Sequence, residues 1–391
     1  MFWMNKRDKI KILRGGVEEM LRIVWERNNS LELFCNEANE IGGGIFLYGA
    51  GTMLYDAFPC VKKCGLKIQG ILDADENKIG KYFMDVPIVS LEEVMDKLYD
   101  SAIAITTEKF ANEINKVVSS YLPAHRIFRT SMYPLGAIRG KEIFELRQYY
   151  IQNIDRLSEV YVLLADQESR TTFRKVLDGW LSFQGDKLAE CVVEPQYFIP
   201  QLVSSMENIS SFIDIGAYIG DTIDDALYYI PQVKRIYAFE ADQRNYEKLI
   251  ARHGNNPRVK AYRVALSDCD GEIFFSSGFN TESRMTGHCI KEVLNDDVVE
   301  KVSSIRLDAV DEILNMSVSF IKIDVEGNEM DVLKGAAEII CRDRPKLAVC
   351  VYHKNQDIIE IPLWIHSIVP EYKFLLRQHS IHGTDTVLYA I

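Results

Sequence analysis

The sequence predicts an α/β protein of two Rossmann-like domains, and three observations carry that prediction. Apolar runs of strand length stop at glycine turns twice, at Gly49-Ala50-Gly51 and between Gly216 and Gly220, and helical spacing resumes after each. Each turn is followed by a second apolar run that ends in a carboxylate: Asp73, at 73 − 51 = 22 positions past Gly51, and Glu240, at 240 − 220 = 20 positions past Gly220. The length, 391 residues, exceeds what one ordinary core encloses.

Composition narrows the class. With 47% hydrophobic and 26% charged residues the chain has the balance of a globular protein. A formal net charge of -12 speaks against a nucleic-acid partner, whose phosphates such a surface repels. No 18 consecutive residues are apolar, so no membrane span is expected, and Phe2, Trp3 and Met4 are followed at once by charges, unlike a signal peptide. Of the eight cysteines only Cys60 and Cys64 are close, at i, i+4 and without paired C-x-x-C units, which suits reduced thiols in a cytoplasmic protein. The oligomeric state stays open.

Residues 1–40 carry apolar positions at helical spacing, among them Ile12, Val17, Met20, Leu21, Val24 and Trp25. Residues 41–135 then read as a nucleotide-binding-type domain with strands at Ile45 to Tyr48, Leu66 to Leu72, Ala102 to Thr106 and near Arg126 to Phe128, a sheet of about four parallel strands. An acidic residue about 20 positions past a glycine turn is where a ribose would be held, which nominates Gly49, Gly51 and Asp73 for a nucleotide. Leu54 stands where a third glycine would complete the fingerprint, and a module kept for structure or partner contact is the other reading. The order YGAG, ILDAD, Gly80, Val86 to Val89 and Leu91-Glu92-Glu93 is similar to the small Rossmann-like domain that precedes the catalytic part of some bacterial sugar acyltransferases and sugar-modifying enzymes. That resemblance covers roughly residues 41–130.

Residues 136–205 show helical patterns, notably Lys141 to Leu164 and Ser169 to Phe183, and read as a connector or cap. Tyr197 and Phe198 at its end either close over a ligand or serve as core aromatics.

Residues 206–391 unfold as a regular α/β series. The stretch SSFIDIGAYIGDTIDDAL gives a strand, a glycine turn, and a helix that Asp221 or Thr222 would cap. Val233 to Phe239 delivers Glu240, whose carboxylate can accept both hydroxyls of a ribose. Val259 to Val264 leads into Ala265, Leu266 and Ser267, small and apolar enough to flank a flat base. An insertion from about Glu272 to Ser304, with Phe274, Phe275, Phe279, Asn280, Ser283, Arg284 and His288, reads as a lid and acceptor site, or as an ordinary exposed hairpin. Val318 to Ile323 brings Asp324, Glu326 and Glu329 to the same strand edge, and Lys346 to Tyr352 ends at His353. Tyr372 to Arg377 and Thr386 to Ile391 form a terminal antiparallel hairpin. Five strands with helices between them and then a hairpin is the chain order of a class I Rossmann-fold methyltransferase, a seven-stranded sheet.

Together FIDIGAYIGDT, YAFEAD, VALSDCDGEIFF, SSIRLDAV, FIKIDVEGNEMDVLKGA, RPKLAVCVYH, YKFLLRQHS and DTVLYAI resemble the FkbM family of S-adenosylmethionine-dependent methyltransferases, from about Glu159 to the end. Tyr352 stands before His353 where many members carry an acidic residue. The resemblance implies that Asp214, Gly216, Ala217 and Gly220 cradle the methionine part of the cofactor, Glu240 its ribose, and Ala265, Leu266 and Ser267 its adenine, while Asp324 steadies its charged end. It also implies O-methylation, of a sugar, glycan or related small molecule.

Methyl transfer from a sulfonium needs alignment of acceptor, methyl and sulfur, and a group that takes the acceptor's proton. His353 is the first candidate for that base, with Glu326 as base or orienting group. Asp324 and Glu326 lack an evident third ligand, so no metal is expected. The N-terminal domain would hold the nucleotide part of a nucleotide sugar. Two other readings remain: an NAD(P)-dependent oxidoreductase built on the Gly49 to Gly51 turn, and a non-catalytic binding scaffold.

Overall fold

Two units fold around separate sheets. In the computed structural model the described residues are 6–26, 30–51, 53–63, 65–107, 109–129, 145–182, 186–206, 209–277, 283–286, 298–381 and 383–391, with backbone alone for those among 6–14, 30–33, 56, 60, 63, 145, 186 and 273–300. Cys64, Phe279, Asn280 and His288 lie outside them. One unit comprises Met1–Ile154, Arg174–Glu190 and Ser380–Thr384, the other Asp155–Phe173, Cys191–His379 and Asp385–Ile391. The helix Gln167–Ser182 is thereby divided between them.

The first unit begins with the helices Lys6–Trp25 and Ser30–Ile41. Its sheet has six strands: β1 (Ile45–Tyr48), β2 (Ile68–Leu72), β3 (Tyr82–Phe83), β4 (Val86–Val89), β5 (Ala102–Ile105) and β6 (Ile127–Arg129), in the order β3-β4-β2-β1-β5-β6. All pairs are parallel except β3 with β4. Successive side chains point to opposite faces, so β1 sends Ile45 and Leu47 into one core and Phe46 into another with Leu72, Ile103 and Ile105. Two buried faces are what a doubly wound sheet requires. The β3–β4 hairpin enlarges the expected sheet of about four strands. It turns at Met84 and Asp85, both with positive φ (45° and 68°), the backbone of a tight two-residue hairpin without the usual Asn-Gly sequence.

The second unit holds a seven-stranded sheet of β7 (Ser211–Ile215), β8 (Arg235–Phe239), β9 (Val259–Tyr262), β14 (Phe320–Ile323), β15 (Lys346–Cys350), β16 (Phe374–Gln378) and β17 (Thr386–Ala390). The order is β16-β17-β15-β14-β7-β8-β9, parallel from β15 to β9 and antiparallel at the terminal hairpin. Register aligns Ile215 with Phe239 on one side and Ile323 on the other, so the residues that follow, Gly216, Glu240 and Asp324, share one carboxyl edge. Strand order reverses between β7 and β14, which is where ligands enter open α/β sheets. Phe212 of β7 and Phe320 of β14 stack at 4.9 Å beneath that edge, with Phe198 edge-on at 6.1 and 5.9 Å. Burying each ring contributes about 1.5–3 kcal/mol.

The stretch after β9 forms a second sheet of β10 (Ala265–Leu266), β11 (Gly271–Ser277), β12 (Ser283–Thr286) and β13 (Val298–Ile305), ordered β10-β13-β11-β12. Its β10–β13 pair is parallel and the others antiparallel. Among the described residues no helix is long and apolar enough to cross a membrane.

Candidate active site

The glycine turn after β7 is dictated by a close approach. A Cβ on Gly216, at φ +75°, would lie 1.7 Å from the carbonyl oxygen of Asp324, so only glycine lets the end of β7 pass the end of β14. The Gly216 and Ala217 amides both donate to Phe239 O at 3.0 Å, tying the turn to β8. Gly220, at φ +83°, occupies the N-cap position of the helix Asp221–Tyr229, and no side chain caps it; neither Asp221 nor Thr222 does so, because both already lie inside the helix.

Glu240 stands where β8 ends and is buried. Its Oε2 accepts from the Tyr218 amide and its Oε1 from the Asp242 amide, each at 2.8 Å. Burial pushes its carboxyl up to about 7, against the opposing pull of these two backbone bonds. Each carboxylate oxygen keeps a further lone pair.

Lys322 comes from the middle of β14 and is absent from the residues that sequence reasoning nominates. It is 2% exposed, donates to Gly216 O at 2.6 Å, and pairs with Asp214 Oδ1 at 3.2 Å. The signal is nevertheless there: a lysine inside the apolar strand FIKI must be paired if it is buried. Burial lifts the Asp214 carboxyl to about 6 even beside Lys322, whereas Asp214 and Asp324 keep Lys322 charged despite its burial.

The Asp324 to Glu329 turn closes the edge. Glu326 at φ +55° and Gly327 at φ +101° bend the backbone so that Asp324 and Glu326 both reach one cavity. The turn wraps around Glu329, whose Oε1 accepts from the Val325 and Gly327 amides at 3.1 and 3.2 Å and from His353 Nδ1 at 2.8 Å. Tyr197, itself at φ +62°, donates its hydroxyl to Asp324 Oδ2 at 2.7 Å. Burial would raise the Asp324 carboxyl, but Lys322, His353 and this bond hold it below its usual range. Burial would likewise lower the His353 imidazole, yet Glu329, Glu326 and Asp324 bring it up to about 9.

These groups border a cavity of about 400 Å³, a size within the range of ligand pockets. Of the residues expected to hold a cofactor, Gly216, Glu240, Ala265, Leu266 and Asp324 line it. Asp214, Ala217, Gly220 and Ser267 do not: Asp214 lies under the turn with Lys322, Ala217 packs in the core, Gly220 starts the helix, and Ser267 is buried beside β13. Glu326 lines the cavity, whereas His353 sits behind it, its Nε2 3.6 Å from Asp324 Oδ1 and 3.7 Å from Glu326 Oε2. Tyr197 faces the cavity and Phe198 the core. Gln196, Tyr218, Asn245 and Asp385 also line it and carry no sequence signal of their own.

The turn in the first unit is differently employed. Asp73 Oδ2 accepts from the Ala50 amide at 2.8 Å and from Lys78 Nζ at 3.1 Å, and Oδ1 accepts from the Asp75 amide at 2.9 Å. As Glu240 does in the second unit, the carboxylate expected to hold a ribose accepts from an amide of its own glycine turn, and it is further paired with Lys78; these bonds keep it below the usual carboxylate range although burial opposes them. The Gly49 carbonyl oxygen accepts from the buried Thr106 hydroxyl at 2.7 Å, and Gly51 has open space around its Cα.

Residues 214–376 match the family described as the methyltransferase FkbM domain. Among solved structures, the methyltransferase FkbM of Methylobacillus flagellatus KT is similar over 97% of this chain and 98% of its own, with 18% identity and a TM-score of 0.69, a likeness of fold. An rRNA methylase of Streptococcus thermophilus (14% identity, 48% of this chain, 89% of its own, TM-score 0.30) and the fibrillarin of Aeropyrum pernix with S-adenosyl-L-methionine (11%, 46%, 66%, TM-score 0.28) are more distant. No curated protein sequence matches.

Proposed function

The chain carries an FkbM methyltransferase domain in its second unit and is a methyltransferase; from that premise we propose that it uses S-adenosylmethionine to methylate a hydroxyl of a sugar or glycan. The observation that carries this reading is the cavity at the switch point, where a glycine turn, a strand-end glutamate, an apolar floor and two carboxylates meet. The residues present fit the cofactor. The turn at Gly216 has no room for a side chain, Glu240 keeps lone pairs for ribose hydroxyls, and Ala265 and Leu266 offer apolar surface to a base.

The cofactor, when bound, supplies an electrophilic methyl group on a sulfonium. Glu240 would hold the ribose, and the Gly216 to Tyr218 backbone the amino-acid part. Asp324, fixed by Tyr197 and kept ionised by Lys322, would attract the positive end. Glu326 borders the cavity and would receive the acceptor's proton as oxygen attacks. His353, the first candidate from sequence, is screened from the cavity and holds Glu329, which suits a group that shapes the turn.

An acceptor of carbohydrate type is the finer part of the proposal, supported by the polar lining of Gln196, Asn245 and Asp385 beside Tyr197. A second nucleotide at Gly49, Gly51 and Asp73, or an oxidoreductase based there, gains no support, since the family match covers residues 214–376 and Asp73 is paired with Lys78. The test is transfer of a labelled methyl group to a panel of sugars and nucleotide sugars. Label on a hydroxyl oxygen, lost in Glu326→Gln, is the expected result; label on nitrogen or carbon would overturn the acceptor class.

A further inference from the structure

Backbone strain gathers around the cavity. Among the described residues seven other than glycine have positive φ; Met84 and Asp85 make the β3–β4 turn, and Arg344 caps the helix Ala337–Asp343. The remaining four, Tyr197, Tyr218, Glu326 and Asp385, all line the cavity. A left-handed backbone is strained for a bulky side chain and persists only where its surroundings fix it. Glu240 holds the Tyr218 amide, and Glu329 holds the amides on either side of Glu326. What holds Tyr197 comes from deeper in the second unit.

Tyr197 is fastened at both ends. Its amide donates to the Tyr389 hydroxyl at 3.0 Å, and its own hydroxyl donates to Asp324 Oδ2 at 2.7 Å. A hydroxyl that accepts still has one proton to give, and the His379 ring offers the acceptor. Its Nε2 lies 2.9 Å from the Tyr389 hydroxyl and its Nδ1 2.6 Å from Val193 O. A carbonyl only accepts, so Nδ1 carries the proton and Nε2 is left to receive that of Tyr389. Burial takes the imidazole down to about 4, which keeps this tautomer uncharged. The histidine is itself anchored, its amide donating to Asp385 O at 3.0 Å. Tyr389 and His379 are both buried and neither lines the cavity.

We propose that His379 and Tyr389 are positioning residues of the methyl-transfer site: they touch no ligand, but fix the Tyr197 amide so that the Tyr197 hydroxyl stays on Asp324 at the cavity wall. Without the Tyr389 hydroxyl the buried amide has lost its acceptor and the strained backbone its restraint. Tyr197 then shifts, and Asp324 loses the donor that orients it. The inference deepens the methyl-transfer reading and rests on it, since it takes Asp324 as the group that meets the cofactor's positive end.

The test is calorimetric titration of the full chain with S-adenosylmethionine, in the parent, Tyr389→Phe, Tyr197→Phe and the double variant. Each single change is expected to weaken binding about fivefold, as the loss of one hydrogen bond does. The double variant should bind no more weakly than Tyr197→Phe alone, because Tyr389 acts through the hydroxyl already removed. His379→Gln keeps an acceptor near the place of Nε2 and should stay near the parent, whereas His379→Asn keeps only the donor and should fall with Tyr389→Phe. Melting of each variant establishes that it is folded, and if Tyr389→Phe does not fold, His379→Asn carries the cycle with Tyr197→Phe. A merely structural pair would lower the melting temperature and leave affinity intact, or add its full loss on top of that of Tyr197→Phe; either result overturns the inference. A parent that binds no S-adenosylmethionine overturns the cofactor reading and this inference with it, whereas a parent that binds, with affinity unchanged in Tyr389→Phe, overturns this inference alone.

Discussion

Lys322 Nζ on β14 donates to the carbonyl oxygen of Gly216 on the neighbouring strand's exit, at 2.6 Å. One buried lysine thus fixes the height of the glycine turn and neutralises Asp214 below it. Lys322→Met leaves Asp214 buried and unpaired, and a loss of about 3–5 kcal/mol is expected. Adding Asp214→Asn should return part of that stability while cofactor affinity stays reduced, because the turn has still lost its clamp. Urea unfolding and calorimetry on the single and double variants check this.

Gly216→Ala and Gly220→Ala should differ. Both add a Cβ at positive φ, but the first meets backbone, Asp324 O at 1.7 Å, and the second meets a side chain, His253 Cδ2 at 2.5 Å. Backbone cannot step aside, so Gly216→Ala is expected to cost several kcal/mol and Gly220→Ala about 1–3 kcal/mol. Melting temperatures in that order bear it out; equal or reversed effects contradict it.

Cofactor affinity should depend on pH through Glu240. Burial pushes its carboxyl up to about 7, and the ionised form is the better acceptor for two hydroxyls. Binding is therefore expected to weaken as pH falls from 8 to 6, by up to about tenfold per unit below the pKa, and to level off above it. Calorimetry at pH 6, 7 and 8 reads the slope, which Glu240→Gln should flatten over the same window.

Asp73→Asn tests the other unit. Because that carboxylate serves its own turn, the change is expected to cost about 1–3 kcal/mol in stability and to leave methyl transfer to any accepted sugar unchanged. A selective loss of activity without a loss of stability would show that Asp73 serves a ligand.

The strands, their parallel order and the residues at their ends are legible in the sequence because each depends on local pattern: an apolar run, a glycine, and a carboxylate at fixed spacing. Gly216, Glu240 and Asp324 fall on one edge by strand ends alone, since register carries those ends to a common level. What is not legible depends on pairing across the chain. Lys322 draws no reading of its own within the strand Val318 to Ile323, because its partner Asp214 lies 322 − 214 = 108 positions earlier. His353 reads as a candidate base, but nothing local in the sequence shows that Glu329 stands against its Nδ1. Asp73 has the right spacing for a ribose, but spacing does not reveal that Ala50 and Lys78 claim the same oxygen. The β3–β4 hairpin escapes a reading by pattern because a two-residue strand turning through Met84 and Asp85 carries neither alternation nor glycine.

The central claim is that S-adenosylmethionine binds against Glu240 in the second unit, and thermal unfolding with S-adenosylhomocysteine on the parent and on Glu240→Gln tests it most directly. A ligand that binds only the folded state stabilises it by about 2.7 kcal/mol at a hundredfold excess over its dissociation constant. The expected result is a clear rise in melting temperature for the parent that is largely lost in the variant. No rise, a rise that Glu240→Gln leaves intact, or a rise with NADH alone would contradict the account.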